Sequence, residues 1–510
     1  MTTQSENNKR IAKNTLLLYF RMFFIMAVSL YTSRVVLKTL GVEDFGIYNV
    51  VGGIVAMMGI LNNAMSVSTQ RYLTFELGKG DMERLKQVFS ICFLIYLLLS
   101  GIFLVLAETI GLWFLNNKLV IPEERMVAAN WVYQFSVISC INTLMANPYN
   151  AVLIAREKMN IYAYISIVEV VLKLAIVYLL LIIPYDRLIV YGSLFLCMSM
   201  VVTMIYRIYC IRNYPESRFH FYWDKPLFMQ LMSYSGWNLF GSLSGLVKGQ
   251  GLNILLNMFF SPAVNASRGI AYQINNAITQ FFTNFYTAVR PQITKYYAQN
   301  DLENMFKLVF RSSKFSFYLI FLLSLPIIIE APYIIHLWLG QLPEYVVSFT
   351  RMIVVISAID SMASPLMTAC HATGRIKLYQ SVVGTVIILN VPISYCLLKF
   401  TECNPNIVFA VSMALSTIAL FLRIWIVKYL IPSFPVWEYV YRVIGLSLAI
   451  SVLSAILPIV LHIMLPSSFI TTVIVVASSL FSSISLVYVL GMSRGEKQAI
   501  IGMIKNKRYK

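Results

Sequence analysis

At 510 residues, 59% of them hydrophobic, and with a mean hydropathy of +0.73, the chain is too apolar to be a soluble globule. A formal net charge of +18 invites a nucleic-acid partner, but the bases gather in the termini and in alternate loops, which excludes that reading. The seven cysteines and four histidines are scattered without CxxC or ligand spacing, so neither a metal nor another cofactor is expected.

Fourteen stretches are long enough to span a bilayer, at about 17–25 residues each. In chain order they are 15–37, 44–66, 88–109, 126–149, 160–183, 187–209, 229–257, 266–289, 310–332, 346–370, 378–399, 405–428, 440–464 and 467–490. Their strong individual signal predicts helices, since barrel strands alternate and read weakly. The first follows Lys9, Arg10 and Lys13 like the basic start of a signal peptide. It is too long for one and lacks a small-residue cleavage site, so it reads as a retained helix. The loop charges obey the positive-inside rule with both termini cytoplasmic, as an even helix count requires. The basic tail, from Arg494 to Lys510, anchors that topology and has affinity for anionic membrane lipids.

The expected architecture is an all-α polytopic membrane protein in which one pattern runs twice. Residues 1–210 form an N-lobe of helices 1–6 and 211–226 a proline-punctuated cytoplasmic linker. Residues 227–430 form a C-lobe of helices 7–12, 431–491 an additional helix pair, and 492–510 the basic cytoplasmic tail. Gly41–Val42–Glu43–Asp44 is echoed by Ser261–Pro262–Ala263–Val264, and Gly80–Asp81 by Asn300–Asp301. Glu108 with Leu112–Trp113 is echoed by Glu330 with Leu337–Trp338, and Pro148 before Arg156 by Pro365 before Arg375. Halves with an even helix number share one orientation, and such proteins place a transport site between them near the midplane. The loops are short. Even the one around 110–125 is too small for a folded external domain, which opposes a membrane glycan polymerase or ligase. No P-loop, carboxylate pair or Ser/His/Asp set stands out, so no catalytic residue is expected.

Ionisable side chains inside a bilayer cost about 2.5–3.5 kcal/mol each on insertion scales and mark function by default. Arg21 and Arg34 lie in helix 1, Lys173 in helix 5 and Lys248 in helix 7, with Arg268 at the start of helix 8. Surplus positive charge suits an anionic cargo, phosphate above all. Each base also has a plainer reading. Lys173 stands four residues after Glu169 and can neutralise it, while Arg34 is close enough to a helix end to snorkel. Arg21 and Arg34 sit about 220° apart on an ideal helix and share a face only if helix 1 bends. The acids Glu169 and Asp360 are candidates for coupling to H+ or Na+, or they answer neighbouring bases. Arg71 and Arg290 stand at cytoplasmic helix ends, where a gate would close. Gly241, Gly245, Gly249 and Gly251 surround Lys248 and give either a smooth packing face or a bend.

Leu40–Gly41–Val42–Glu43–Asp44–Phe45–Gly46–Ile47–Tyr48–Asn49 after an arginine-bearing helix resembles the opening of the Wzx-type polysaccharide flippases. These are O-antigen and capsule repeat-unit exporters of the multidrug/oligosaccharidyl-lipid/polysaccharide (MOP) superfamily. Gln70–Arg71–Tyr72 with Gly78–Lys79–Gly80–Asp81, and Pro148 with Ala155–Arg156–Glu157–Lys158, continue the likeness. The resemblance implies a V-shaped, two-lobed fold with alternating access in the bacterial inner membrane. It implies a cargo of polyprenyl (undecaprenyl) pyrophosphate-linked oligosaccharide, flipped without a covalent step through a cationic cavity. Arg21, Arg34, Lys248 and Arg268 resemble that cavity's bases by position. A polysaccharide polymerase and a chain-length regulator are the implied protein partners. The rivals are a lipid II flippase and a multidrug (MATE) exporter, though the first helix here lacks the carboxylate a cation exporter typically uses. From other classes, a glycan-assembly enzyme and a scaffold remain.

Overall fold

The computed structural model describes residues 4–56, 59–117, 121–260, 262–401, 403–466, 468–493 and 495–497. The description excludes the side chains of 4–9 and of several residues between 30 and 61, Arg34 among them. Ser261, Lys118, Arg494 and the tail from Gln498 also lie outside the described residues. The regular structure described is entirely helical. Its helices are α1 Gln4–Ala56, α2 Gly59–Lys79, α3 Met82–Asn117, α4 Glu123–Ala155, α5 Met159–Ile182 and α6 Arg187–Asn213. After them come α7 Lys225–Phe259, α8 Pro262–Ala298, α9 Leu302–Leu339, α10 Val346–Ala372, α11 Ile376–Phe400, α12 Ile407–Leu430, α13 Val436–Met464 and α14 Phe469–Gly491.

Eleven of the described helices are long and apolar enough to cross a membrane by length and composition. The expected spans at 229–257 and 266–289 form helices as well, but less apolar ones, while the span at 44–66 includes residues outside those described. α8, for instance, carries Asn275, Asn276, Gln280 and Asn284. Such side chains cannot face acyl chains unpartnered, so these helices need protein or water beside them. Helix starts also differ from expectation. α1 begins at Gln4, because Lys9, Arg10 and Lys13 are good helix formers and hydropathy does not register them. Between the first two predicted spans the chain spends a single residue. Gly41, at φ 82 and ψ 169, adopts a conformation essentially closed to residues with a Cβ.

The chain folds as two compact units, one of residues 11–239 and the other of 240–510 with the first ten. The division falls inside α7, beyond the polar linker. That linker is strapped to its own unit: Arg156 bonds Glu216 at 2.5 Å, and Arg84 bonds Asp224 at 3.2 Å. The sequence echoes correspond to repeated local structure. Gly80 (φ 80) precedes the cap Asp81 and Asn300 (φ 57) the cap Asp301. Each aspartate accepts from the N–H three residues on, Arg84 and Asn304 respectively. Pro148 and Pro365 both lie inside helices, in α4 and α10. Glu108 sits in a π-turn at Ala107–Gly111, and Glu330 at a non-helical break (φ −96, ψ 16) between Pro326 and Pro332.

Candidate functional site

Within unit 11–239, α1, α2, α4, α5 and α6 enclose a cavity of about 480 Å3, a size common for ligand sites. Its walls mix polar and aromatic side chains, among them Asn62, Asn147, Asn150, Tyr48, Tyr162 and Tyr206, with aliphatic ones such as Leu144 and Val202. Arg21 enters it from α1. Its guanidinium stacks 4.5 Å over the Tyr162 ring and an Nη donates to the Tyr162 hydroxyl at 3.4 Å. Its Nε, like the Asn150 Oδ1, is buried and finds no hydrogen-bond partner among the described residues. Buried polar atoms are ordinarily satisfied, and these two are exceptions at the cavity wall.

Glu169 lines the same cavity, but its carboxylate is held by Lys173 at 2.7 Å, one helical turn on. The pair spends Lys173 on its neighbour, with the Phe195 ring 5.9 Å from the ammonium. Arg71 is buried within α2, well before that helix ends at Lys79. Rings of Tyr72, Phe75 and Tyr234 surround its guanidinium at 4.5, 4.7 and 5.8 Å. Cation–π contact of this kind stabilises a buried charge.

One end of this unit is closed by an ionic clasp. Arg125 reaches Asp44, just past the Gly41 break, at 2.5 Å, and Asp186, which caps α6, at 2.6 Å. Burial works to raise the Asp186 carboxyl. The bond from Arg125, with help from the N–H groups of Ile189 and Leu188, outweighs it and leaves the carboxyl below its ordinary range.

In unit 240–510 the expected bases are distributed differently. Arg268 is a clamp: it donates to the Gly249 carbonyl at 2.7 Å and to the Asn253 side chain at 3.2 Å, with the Tyr272 ring 4.6 Å away. Lys248, half-buried in α7, lies within electrostatic reach of Asp360 and Arg423. Asp360 in turn meets Arg423 of α12 at 3.7 Å, and Arg423 donates to the Tyr379 hydroxyl at 3.1 Å. Asp360 thus answers a base that hydropathy places towards a helix end. Arg290 is half-buried near Tyr286, whose hydroxyl donates to the Ser364 carbonyl at 2.8 Å.

The glycines of α7 do pack, though not on the face their four-residue spacing suggests. A Cβ on Gly241 would overlap the Gln380 side chain, and one on Gly251 would come within 2.6 Å of Val391, both on α11. Gly245 and Gly249 have nothing within 4 Å. Gly251 lies about 80° from Gly241 on the side opposite Gly245, so the close face runs the other way. No non-helical residue interrupts α7, so the glycines introduce no break in it.

The sequence matches the family described as "Polysaccharide biosynthesis protein" over residues 11–297. The chain belongs to that family, the Wzx-type flippases. No curated protein matches it significantly. Among solved structures it is similar to MATE in the bent conformation, with TM-score 0.71 and 15% identity over 85% of this chain and 100% of that one. The straight conformation gives 0.70 and 14% over 85% and 100%. A MOP superfamily transporter from Pyrococcus furiosus, described as having a binding pocket of reverse polarity that suggests a different function, gives 0.65 and 15% over 84% and 98%. At such identities the likeness is one of fold: a MOP transporter fold in a multi-pass membrane protein.

Within this flippase framework three functional-looking residues are missed by sequence alone. Arg423 interrupts the run Ala419–Leu420–Phe421–Leu422–Arg423–Ile424, a signal that would count it with the intramembrane bases. Glu330 stands out in the sequence only as an echo of Glu108. His462, at the end of α13, gives no signal without its partner.

Proposed function

We propose that this flippase turns a polyprenyl (undecaprenyl) pyrophosphate-linked oligosaccharide from the cytoplasmic to the outer leaflet of the bacterial inner membrane. It would serve O-antigen, capsule or exopolysaccharide assembly by alternating access, with both termini cytoplasmic. The carrying observation is Arg21, a guanidinium on the wall of a cavity that also presents Asn, Ser, Thr and Tyr side chains, with no ion-pair partner among the described residues. A guanidinium donor in that state suits a diphosphate oxygen, and the surrounding Asn, Ser, Thr and Tyr side chains suit glycan hydroxyls. Lys248 gives the second unit a base that forms no direct ion pair among the described residues. An exporter of organic cations would instead want an unneutralised carboxylate, and Glu169 is held by Lys173. The step is translocation without covalent chemistry, so the chain acts as a transporter and not an enzyme. Its polymerase and chain-length regulator would receive the product.

The test measures outer-leaflet exposure of lipid-linked glycan in proteoliposomes. A charge-assisted bond contributes about 1.5–3 kcal/mol, so Arg21→Ala should slow flipping by about 10–100-fold, and Lys248→Ala by less. Unchanged rates in both variants overturn the assignment. Equal rates for lipid II would favour the peptidoglycan-precursor reading instead.

A further inference from the structure

Three acids stand out inside the helices of the two units, and they are not alike. Glu169 is fixed by Lys173 and Asp360 by Arg423, bases that ordinarily keep their charge throughout the physiological range. A proton arriving at either acid would have to break an ion pair. Glu330 has no such partner among the described residues. It is 4% exposed, accepts a bond from the Thr472 hydroxyl of α14 at 3.0 Å, and meets the His462 Nδ1 of α13 at 2.7 Å. Imidazole is the side chain that ordinarily titrates between pH 5 and 8.

The surroundings leave that pair to itself. Pro332 has no N–H for the Ile328 carbonyl, and Arg351 of α10 fills the gap, donating to Ile328 at 2.8 Å and to Ile329 at 3.5 Å. The arginine is therefore spent on backbone, and no ion pair to Glu330 is formed by it. α8 presents Ile270 and Ile274 at this level, while its Arg268 is turned to α7. On α9 itself Tyr333 and His336 follow within two turns. The Arg311, Lys314 and Glu496 group lies sixteen or more residues back along α9, roughly 24 Å at 1.5 Å per residue. The His462 side chain is 45% exposed and lies two residues before α13 ends at Met464.

We propose that Glu330 and His462 form a proton-binding site that fastens the C-terminal helix pair, α13 and α14, to the break in α9. With the imidazole neutral, the cluster holds one buried negative charge. Uptake of one proton brings the pair to zero net charge and adds the attraction between imidazolium and carboxylate to a hydrogen bond already made. The clamp then tightens on the acid side and relaxes on the alkaline side. Its use in transport rests on the flippase reading above; the proton site does not.

The experiment is pH-difference infrared spectroscopy of the full chain in phosphatidylethanolamine–phosphatidylglycerol liposomes, from pH 5 to pH 8. The expected result is a titration carrying carboxylate and imidazole bands, lost in Glu330→Gln and in His462→Gln and kept in Glu108→Gln. No such titration in the wild type, or one that persists in both variants, overturns the site. Should those variants fail to fold, Thr472→Val keeps both groups and removes one donor to the carboxylate. Its titration should differ from that of the wild type, and an unchanged one counts against the proposal. Flipping of lipid-linked glycan in the same liposomes is followed in parallel. A titration without flipping would sink the transport role alone, and flipping without a titration the proton site alone.

Discussion

Glu108 and Glu330 occupy the same place in the two repeats, each at an irregularity in the helix that opens with a capped aspartate. Glu108 is exposed, and its Oε2 accepts from the neutral amide of Gln134 at 3.1 Å. Glu330 is buried, with partners from two helices that the first unit lacks. The arginines Arg125 and Arg351, near the starts of α4 and α10, diverge too: one grips two carboxylates, the other two backbone carbonyls. The same signals in sequence therefore serve different ends. What covers each copy decides its chemistry, and the extra helix pair covers only the second.

The two glutamates should part most widely when each is truncated. Glu330→Ala strips the partner from His462 and opens a buried polar site, and truncating one side of a buried pair costs about 3 kcal/mol at the lower end of such effects. Glu108→Ala should stay within about 0.5 kcal/mol, as exposed changes do. Thermal unfolding in detergent compares the two, and equal losses would erase the distinction. A more modest change is expected on α7, whose close face belongs to the second unit. Gly251→Ala forces a Cβ to 2.6 Å from Val391, and overpacking of this kind costs about 1–3 kcal/mol. Gly249→Ala has open space and should gain up to about 1 kcal/mol in helix propensity. If Gly249→Ala nonetheless slowed flipping, pliability of α7 rather than its packing would be the reason for glycine there.

A weaker effect still separates the two arginines by pH. The Asp186 carboxyl is held low in the folded chain, so its contribution is complete above the ordinary aspartate value of about 3.9. It fades as pH falls through the lowered value. The group is partly exposed, so less than about 1 kcal/mol is at stake. Melting followed from pH 6 to pH 3 should lose this increment in the wild type but not in Asp186→Asn. Arg351, bound to carbonyls, should contribute nothing to that difference.

Much of the fold is legible in the sequence because its signals are local. Hydropathy runs locate the helices, and Asp81 and Asp301 announce their caps by spacing. Glu169 and Lys173 can be paired on paper, being one turn apart. The Arg268 clamp, the Asp360–Arg423 pair and the Glu330–His462 pair join residues on different helices. Sequence position carries no trace of such contacts. The α7 glycines mislead for a related reason. Four-residue spacing identifies a face, but which face meets α11 depends on how that helix packs. Arg423 is legible too, since it stands inside the expected span 405–428 and belongs with the intramembrane bases.

The pairing across 132 residues between Glu330 and His462 also orders events on the ribosome. At about 5–20 residues per second, roughly 7–26 s separate the making of the acid from the making of its imidazole. During that interval α9 carries a buried-to-be carboxylate whose native partners, His462 and Thr472, have not been made. A chain released before Val436 would never be relieved of it. Quality control that recognises polar residues stranded in lipid would then find by that mark the copies that end between the two residues.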